Sequence, residues 1–402
     1  MKSKQVQDFK EIAELIKDQF IPTKNISMPY IGLEHIEQGT LRLSSIGKSS
    51  DITSQKFKFK KNDILFGKLR PYFRKVVRPS FDGICSTDIF VVRAKEGVSQ
   101  IFLYYVMATN EFVNYSSQGS QGTKMPRASW DFLEKYEQWV PSLDEQERIG
   151  KTLDDLDSKI QNLQKQKQIL EKTIQTIFKS WFIDFDGVTE FEDSELGKIP
   201  KGWQIGILEN FLDLTKGVSY KSQDLKFSNK ALVTLKSVKR GGGYTNIGLK
   251  SFDGKYNENQ VVKENDIIVA QTDLTQNADV IGKPALIRDS KHFDILVASL
   301  DIVIIKIKNN KILKFYIYYL FLTDRFQNHV YGYTSGTTVL HLAKDAIPNF
   351  VFILPPTKTL EKFDKLISTW IQKNHENNNQ IENLTKIRDF LLPKLMSGEI
   401  RV

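Results

Sequence analysis

A single cysteine, Cys85, in 402 residues excludes an intrachain disulfide and any zinc or iron–sulfur site built on cysteine pairs, and it fits a reducing compartment. Histidine is scarce too, and the five (His35, His292, His329, His341 and His375) show no metal-ligand spacing. The longest apolar run, near Ile101 to Ala108, falls far short of the roughly 18 residues a membrane span needs. Met1 leads straight into charged residues, so the expected location is cytoplasmic. Catalytic signatures are missing as well. There is no Gly-x-x-x-x-Gly-Lys-Ser/Thr phosphate loop and no glycine fingerprint of a dinucleotide or methyl-donor site. The one Pro-Pro pair, Pro355-Pro356, lacks the Asp or Asn before it and the aromatic after it that would grip a flipped base. Asp184 and Asp186 in Trp181-Phe-Ile-Asp-Phe-Asp186 form the best carboxylate pair for a metal, but their aromatic neighbours read better as a helix end tucked onto the next domain. No cofactor, metal or catalytic residue is expected.

What the chain has is repetition. Tyr30-Ile-Gly-Leu-Glu-His-Ile36 with Gly39 lies over Val233-Thr-Leu-Lys-Ser-Val238 with Gly241, and Asn62-Asp63-Ile64 lies over Asn265-Asp266-Ile267. The offset then grows, which places a loop insertion in the second copy within Thr272 to Lys283. It settles at 214, with Tyr104-Tyr105 on Tyr318-Tyr319, Gly122-Thr123 on Gly336-Thr337 and Pro141 on Pro355. The tyrosine pairs sit in apolar context and are expected in the core.

After each of those prolines the pattern becomes helical. Leu153, Leu156, Ile160, Leu163, Lys167, Leu170 and Ile174 step by fours and threes, and adding 214 gives a second seam with Ile367, Trp370, Ile381 and Leu384. Asn374 and Asn377 interrupt that second seam, where buried polar residues cost stability but can fix register and partner. Two such helices are expected to pack on each other. The regions ahead of them alternate short β-rich runs with glycine-bearing turns, so the expected fold is α+β. It has two mixed α/β domains, residues 1–143 and 188–356, and two long helices, residues 144–187 and 357–402.

The net charge of +9 is not spread evenly. Residues 56–78 hold nine bases against Asp63, with five aromatics interleaved, and residues 216–263 hold ten bases against three acids. The first helix is slightly acidic, so the positive charge belongs to the globular domains. Two basic globules separated by a helical spacer favour a polyanionic partner, namely DNA. The residues expected to contact it are Lys68, Arg70, Arg74 and Lys75 in the first copy and Lys236, Lys239, Arg240 and Gln271 in the second.

Several motifs carry a resemblance to a known family. They are Tyr30-Ile-Gly-Leu-Glu-His-Ile; Ile64-Leu-Phe-Gly-Lys-Leu-Arg-Pro71; Val140-Pro-Ser-Leu-Asp-Glu-Gln-Glu-Arg-Ile149; Trp181-Phe-Ile-Asp-Phe-Asp186; Gly197-Lys-Ile-Pro-Lys-Gly-Trp203; and Leu391-Leu-Pro-Lys-Leu-Met-Ser-Gly398. In this order the chain resembles the specificity subunit of type I restriction-modification systems. The resemblance implies two target-recognition domains separated by two helices that form an antiparallel coiled coil. It further implies a subunit with no catalysis of its own, which holds two methyltransferase subunits and, through them, restriction subunits. Two departures stand out: Gly197 to Trp203 has no twin before Tyr30, and Thr357-Lys-Thr-Leu-Glu361 replaces the acidic signature at Asp144-Glu-Gln146. Two other classes stay open on sequence alone. A methyltransferase or nuclease with unrecognised catalytic residues would show binding of the methyl donor, and a coiled-coil scaffold would lack salt-dependent affinity for duplex DNA.

Overall fold

The computed structural model describes residues 6–21, 27–122, 124–275, 278–288, 290, 292–308 and 313–402. Thr123, singled out above beside Gly122, lies outside them. The chain forms two compact units, residues 1–166 with 376–402 and residues 167–375.

Each unit is built around the same four-stranded antiparallel sheet. In unit 1 its order is Ala13–Ile16, Ile89–Ala94, Ile64–Gly67, Val76–Val77; in unit 2 it is Leu212–Lys216, Ile302–Ile307, Ile267–Ala270, Pro284–Leu286. The central strands are short unbroken apolar runs, and every residue of Ile64–Gly67 and of Ile267–Ala270 is buried. A second sheet contains one parallel pair in each unit, Pro29–Ile31 with Gly83–Cys85 and Lys230–Val233 with Ile295–Ala298. Two short helices follow. Thr109 and Thr323 cap the second of them, each accepting a hydrogen bond from a backbone N–H three residues on.

Hydrogen bonds carry the equivalence down to single residues. Asn62 and Asn265 both adopt a left-handed conformation, with φ of 70° and 66°, which Asn tolerates better than most side chains. The following aspartates then accept the N–H of Lys60 at 2.8 Å and of Lys263 at 2.9 Å. The insertion in unit 2 is split in two. Between Asn62 and Asp88 in unit 1 and their equivalents Asn265 and Asp301 unit 2 has ten extra residues; Gly67 N–H bonds to the Lys75 carbonyl and Ala270 N–H to the Lys283 carbonyl, so five of the ten lie within Thr272 to Lys283, as expected. The other five lie between Lys283 and Asp301, and the expected position accounts for half of the insertion. Unit 2 also has a hairpin, Phe191–Ser194 with Gly197–Pro200, that has no counterpart among the described residues of unit 1.

Two helices of 40 residues each, Leu143–Phe182 and Thr357–Met396, run about 60 Å at the standard rise. Each contributes one half to each unit. In unit 1 the start of the first helix (Ile149, Leu153) and the end of the second (Leu392, Leu395, Met396) share one core with Phe66, Tyr104 and Tyr105. In unit 2 the end of the first (Ile174, Phe178, Phe182) and the start of the second (Leu360, Phe363, Ile367) share one core with Tyr318 and Tyr319. Within each unit the helix halves therefore run in opposite directions. Leu153, Ile160, Leu163, Ile174 and Ile367 of the expected seam are buried, while Leu156, Leu170, Trp370, Ile381 and Leu384 are half-buried. Asn377 is fully buried and Asn374 half-buried. Among the described residues, no helix is long and apolar enough to cross a membrane.

Candidate nucleic-acid interface

In unit 1 the expected contacts begin where the strand Ile64–Gly67 ends. Lys68 is held on both sides: its N–H donates to the Asp88 carbonyl at 2.9 Å and its carbonyl accepts from Ala128 N–H at 2.8 Å. Its ammonium lies 5.6 Å from the Phe90 ring centre. Arg70 and Arg74, with φ of 51° and 50°, bracket the single turn Pro71–Phe73. A left-handed conformation costs a side-chain-bearing residue about 1 kcal/mol, so other bonds must hold the turn. Arg70 supplies two of them, from its N–H to the Pro126 carbonyl at 2.7 Å and from its guanidinium to the Lys124 carbonyl at 3.5 Å. Arg127 fixes the same loop through two bonds to the Asp88 carboxylate at 2.9 and 3.3 Å. Residues 124–128 thus join Lys68 and Arg70, bringing exposed Lys124 and Arg127 beside them.

The other two expected contacts turn toward the protein. Lys75 donates to the Leu33 carbonyl at 2.5 Å, and burial lowers its pKa. Burial also lowers that of Arg74, against the opposing pull of Asp389, and Arg74 lines a cavity of about 150 Å³ with Thr109, Glu111, Asp389 and Leu392.

Unit 2 places its cations on a different element. The turn Leu235–Ser237 follows the parallel strand, and Lys236, Lys239 and Arg240 are all exposed on or just after it. Gly241, Gly242 and Gly243 then reverse the chain with φ of 77°, 103° and 92°, conformations that favour glycine. The reversal is anchored by Gly241 N–H to the Asp279 carbonyl and Gly243 N–H to the Pro284 carbonyl. Arg240, 77% exposed, has its Nε 3.6 Å from the Asp279 carboxylate. Gln271 turns out to be the equivalent of Lys68, since its N–H donates to the Asp301 carbonyl at 2.8 Å and its carbonyl accepts from Leu342 N–H at 2.9 Å. Beyond it, the buried Asp273 carboxylate organises the inserted loop. It accepts from Thr275 N–H and Oγ1, both at 2.7 Å, from Val280 N–H at 2.6 Å and from Ile281 N–H at 3.1 Å. Burial alone would raise its pKa, but these bonds outweigh it and the net shift is downward.

The Lys236, Lys239 and Arg240 group and Gln271 therefore sit on two loops tied together through residues 279–284. Lys68 and Arg70 sit on the unit 1 counterpart of the second of those loops.

Nothing in this arrangement resembles a reaction centre. Among the described residues there is no group of three His, Cys, Asp or Glu side chains placed to hold a metal. Cys85 is buried and its pKa is raised, first by burial, so its thiol stays protonated. Asp184 pairs with Lys179, while Phe185 beside it packs its ring against Phe191 and Trp203.

A second cavity, of about 460 Å³, lies in unit 2 among Gln175, Phe178, Gly241, Tyr319, Thr323 and Arg325. At the offset of 214 its Thr323, Arg325, Gln175 and Phe178 match Thr109, Glu111, Asp389 and Leu392 of the unit 1 cavity, so the two are copies of one feature.

A family model described as the type I restriction modification DNA specificity domain matches residues 1–172 and again residues 200–388. The chain belongs to that family. The double match coincides with the internal repeat seen in the hydrogen bonding. The type I restriction enzyme MjaIX specificity subunit of Methanocaldococcus jannaschii is 32% identical over 321 residues, covering 77% of this chain and 71% of that protein. The MjaVIII specificity subunit of the same organism is 25% identical over 388 residues, covering 93% of this chain and 86% of that protein. The crystal structure of a type I restriction-modification system S subunit from M. genitalium matches the fold with a TM-score of 0.55 at 15% identity, covering 98% of this chain and 96% of that one.

Proposed function

We propose that this specificity subunit reads a bipartite DNA target, residues 1–143 and 188–356 each recognising one half. The observation that carries the reading is that the two units share one scaffold yet display cations on different loops. Identical domains would read identical half-sites; these present Lys68 and Arg70 at one position and Lys236, Lys239 and Arg240 at another. Cations meet phosphates and set the domain on the duplex, while polar side chains such as Gln271 reach base edges. Arg74 and Lys75, engaged with the protein's own groups, would assist by shaping the loop.

The two long helices act as an antiparallel coiled coil that spaces the domains. A spacer of about 60 Å suits recognition centres one helical turn of DNA apart, with unread base pairs between the half-sites. The paired cavities give each unit one copy of the same feature, which supports docking of two methyltransferase subunits and, through them, restriction subunits. The protein itself supplies specificity and no catalysis, and it works in the cytoplasm beside the DNA it reads.

Selection from a randomised duplex library by the protein with its methyltransferase partner tests this directly. The expected result is a split motif of two unlike half-sites around a fixed gap; salt-sensitive binding without any enriched motif would refute it. Deleting one heptad from both helices should then change the gap and leave the half-sites intact.

A further inference from the structure

Each unit holds one isoleucine out to solvent from the same loop. In unit 2 the loop starts at Thr245, whose N–H bonds to the Ser237 carbonyl at 2.9 Å, and ends at Lys250, which pairs with Leu232 in the sheet. In unit 1 it starts at Ser44, whose N–H bonds to the His35 carbonyl at 2.8 Å, and ends at Gly47, paired with Tyr30. The unit 2 loop is two residues longer, and its other side chains have diverged. Both nevertheless expose an isoleucine, Ile247 at 86% and Ile46 at 50%.

The unit 2 loop is a built turn. Gly248 is pressed so closely on the preceding turn that a Cβ there would come within 2.2 Å of the Ser237 nitrogen and 2.5 Å of the Lys236 carbonyl carbon. Its carbonyl accepts the Thr234 hydroxyl at 2.8 Å. Ile247 is thereby fixed next to Lys236, with Lys239, Arg240 and Lys250 exposed on the same stretch of chain. A lone exposed apolar residue is ordinary. One that recurs in both copies on a pinned loop, in unit 2 among cations, has a use that the fold does not supply. A β-branched side chain also has few rotamers to lose on contact.

Resting on the DNA reading above, we infer that Ile247 is a specificity-determining residue that packs against a thymine 5-methyl group in the half-site read by unit 2, and that Ile46 does the same in the other half-site. The major groove presents that methyl group as its apolar feature, and an aliphatic side chain recognises it without hydrogen bonds.

The test uses the full chain with its methyltransferase partner and the split target that the wild type selects. Ile247→Ala should relax preference at one or two adjacent positions of one half-site by roughly five- to tenfold, leaving the gap and the other half-site unchanged. Ile46→Ala should do the reverse. Replacing the affected thymine by deoxyuridine should weaken the wild type by a similar factor and leave Ile247→Ala indifferent. A split motif that both variants select unchanged, or a variant that loses affinity equally for every sequence, overturns the inference while the DNA reading stands. A wild type that selects no motif removes both.

Discussion

At the turn after the parallel strand, unit 1 carries Glu34 and Glu37 where unit 2 carries Lys236 and Lys239. At the loop after the central strand the signs reverse: unit 1 has Lys68 and Arg70, while unit 2 has Gln271 and Asp273. Several backbone bonds around both places recur in the two units: Gly39 N–H bonds to the Phe73 carbonyl as Gly241 N–H does to the Asp279 carbonyl, and Lys68 N–H bonds to the Asp88 carbonyl as Gln271 N–H does to the Asp301 carbonyl. Their hydrogen bonding is therefore carried by main chain and a few aspartates, which frees the loop side chains to diverge. A domain organised in this way can change what it reads without refolding.

A second difference lies on the long helices. In unit 1, Asp157 and Arg388 are 8% and 2% exposed; their charged groups meet at 2.7 Å, and Tyr105 donates its hydroxyl to Asp157 at 2.9 Å. Arg388 also reaches Asp389 at 2.8 Å. At the offset of 214 the same layer of unit 2 holds Ile371 and Ile174, with Phe178, Tyr319 and Phe363 around them. One layer is ionic and its copy apolar. The largest effect expected follows from this contrast. Asp157→Ala takes from Arg388 its buried partner and from Tyr105 its acceptor, leaving the guanidinium only the half-exposed Asp389, and should cost about 3 kcal/mol, seen as loss of amide protection confined to unit 1. Replacing both partners, Asp157→Ile with Arg388→Ile, copies the unit 2 layer and should recover most of that loss. A double variant as unstable as the single one would show that the layers are not interchangeable.

Next in size is the charge exchange itself. Removing Lys236, Lys239 and Arg240 together, each to alanine, should weaken binding to the split target by about 10- to 100-fold at moderate salt. The slope of log affinity against log salt should fall by roughly 0.9 for each cation that meets a phosphate. Lys68→Ala with Arg70→Ala should act in the same way for unit 1. Glu34→Ala with Glu37→Ala, at the turn where unit 2 is basic, should leave affinity unchanged or raise it slightly. A strong loss from the glutamates would mean that this turn reads bases in unit 1, and the simple exchange of charge between loops would fail.

The repeat and the two long helices were legible in the sequence because their physics leaves local traces. Asn-Asp marks the left-handed turn in both copies, the tyrosine pairs mark one buried helix, and the four-three spacing marks the seam. Charge direction left no such trace. Residues 56–78 read as one cationic patch, yet within it Arg74 and Lys75 point back into the protein because two left-handed arginines turn the chain, which composition does not record. Lys124 and Arg127 join Lys68 and Arg70 through pairing across more than fifty residues, beyond the reach of any local pattern. Gln271 was expected for its polarity; that it occupies the position of Lys68 appears only in the hydrogen bonds. The exposure of Ile46 and Ile247 leaves no trace either, because a single exposed isoleucine has no spacing to detect.

The smallest effect concerns the inserted loop. Unit 1 shapes its version with two left-handed arginines and meets a carboxylate only through the Arg127 side chain, whereas in unit 2 the backbone amides themselves donate to Asp273, so those amides should respond to acid first. The folded pKa of Asp273 is lowered from 3.8, which means that the ionised form stabilises the loop above that value and the contribution disappears as pH falls through the folded value. As pH falls below 3.8 the amides of Val280 and Ile281 should lose protection, after correction for intrinsic exchange, before those of Arg70 and Arg74 do. Asp273→Asn should reproduce the acid state at neutral pH, since an amide offers one acceptor oxygen to groups that now share two, at a local cost of about 1–2 kcal/mol. Parallel loss in both loops would show that acid is loosening the sheet beneath them, and the carboxylate would then be an ornament of the loop instead of its support.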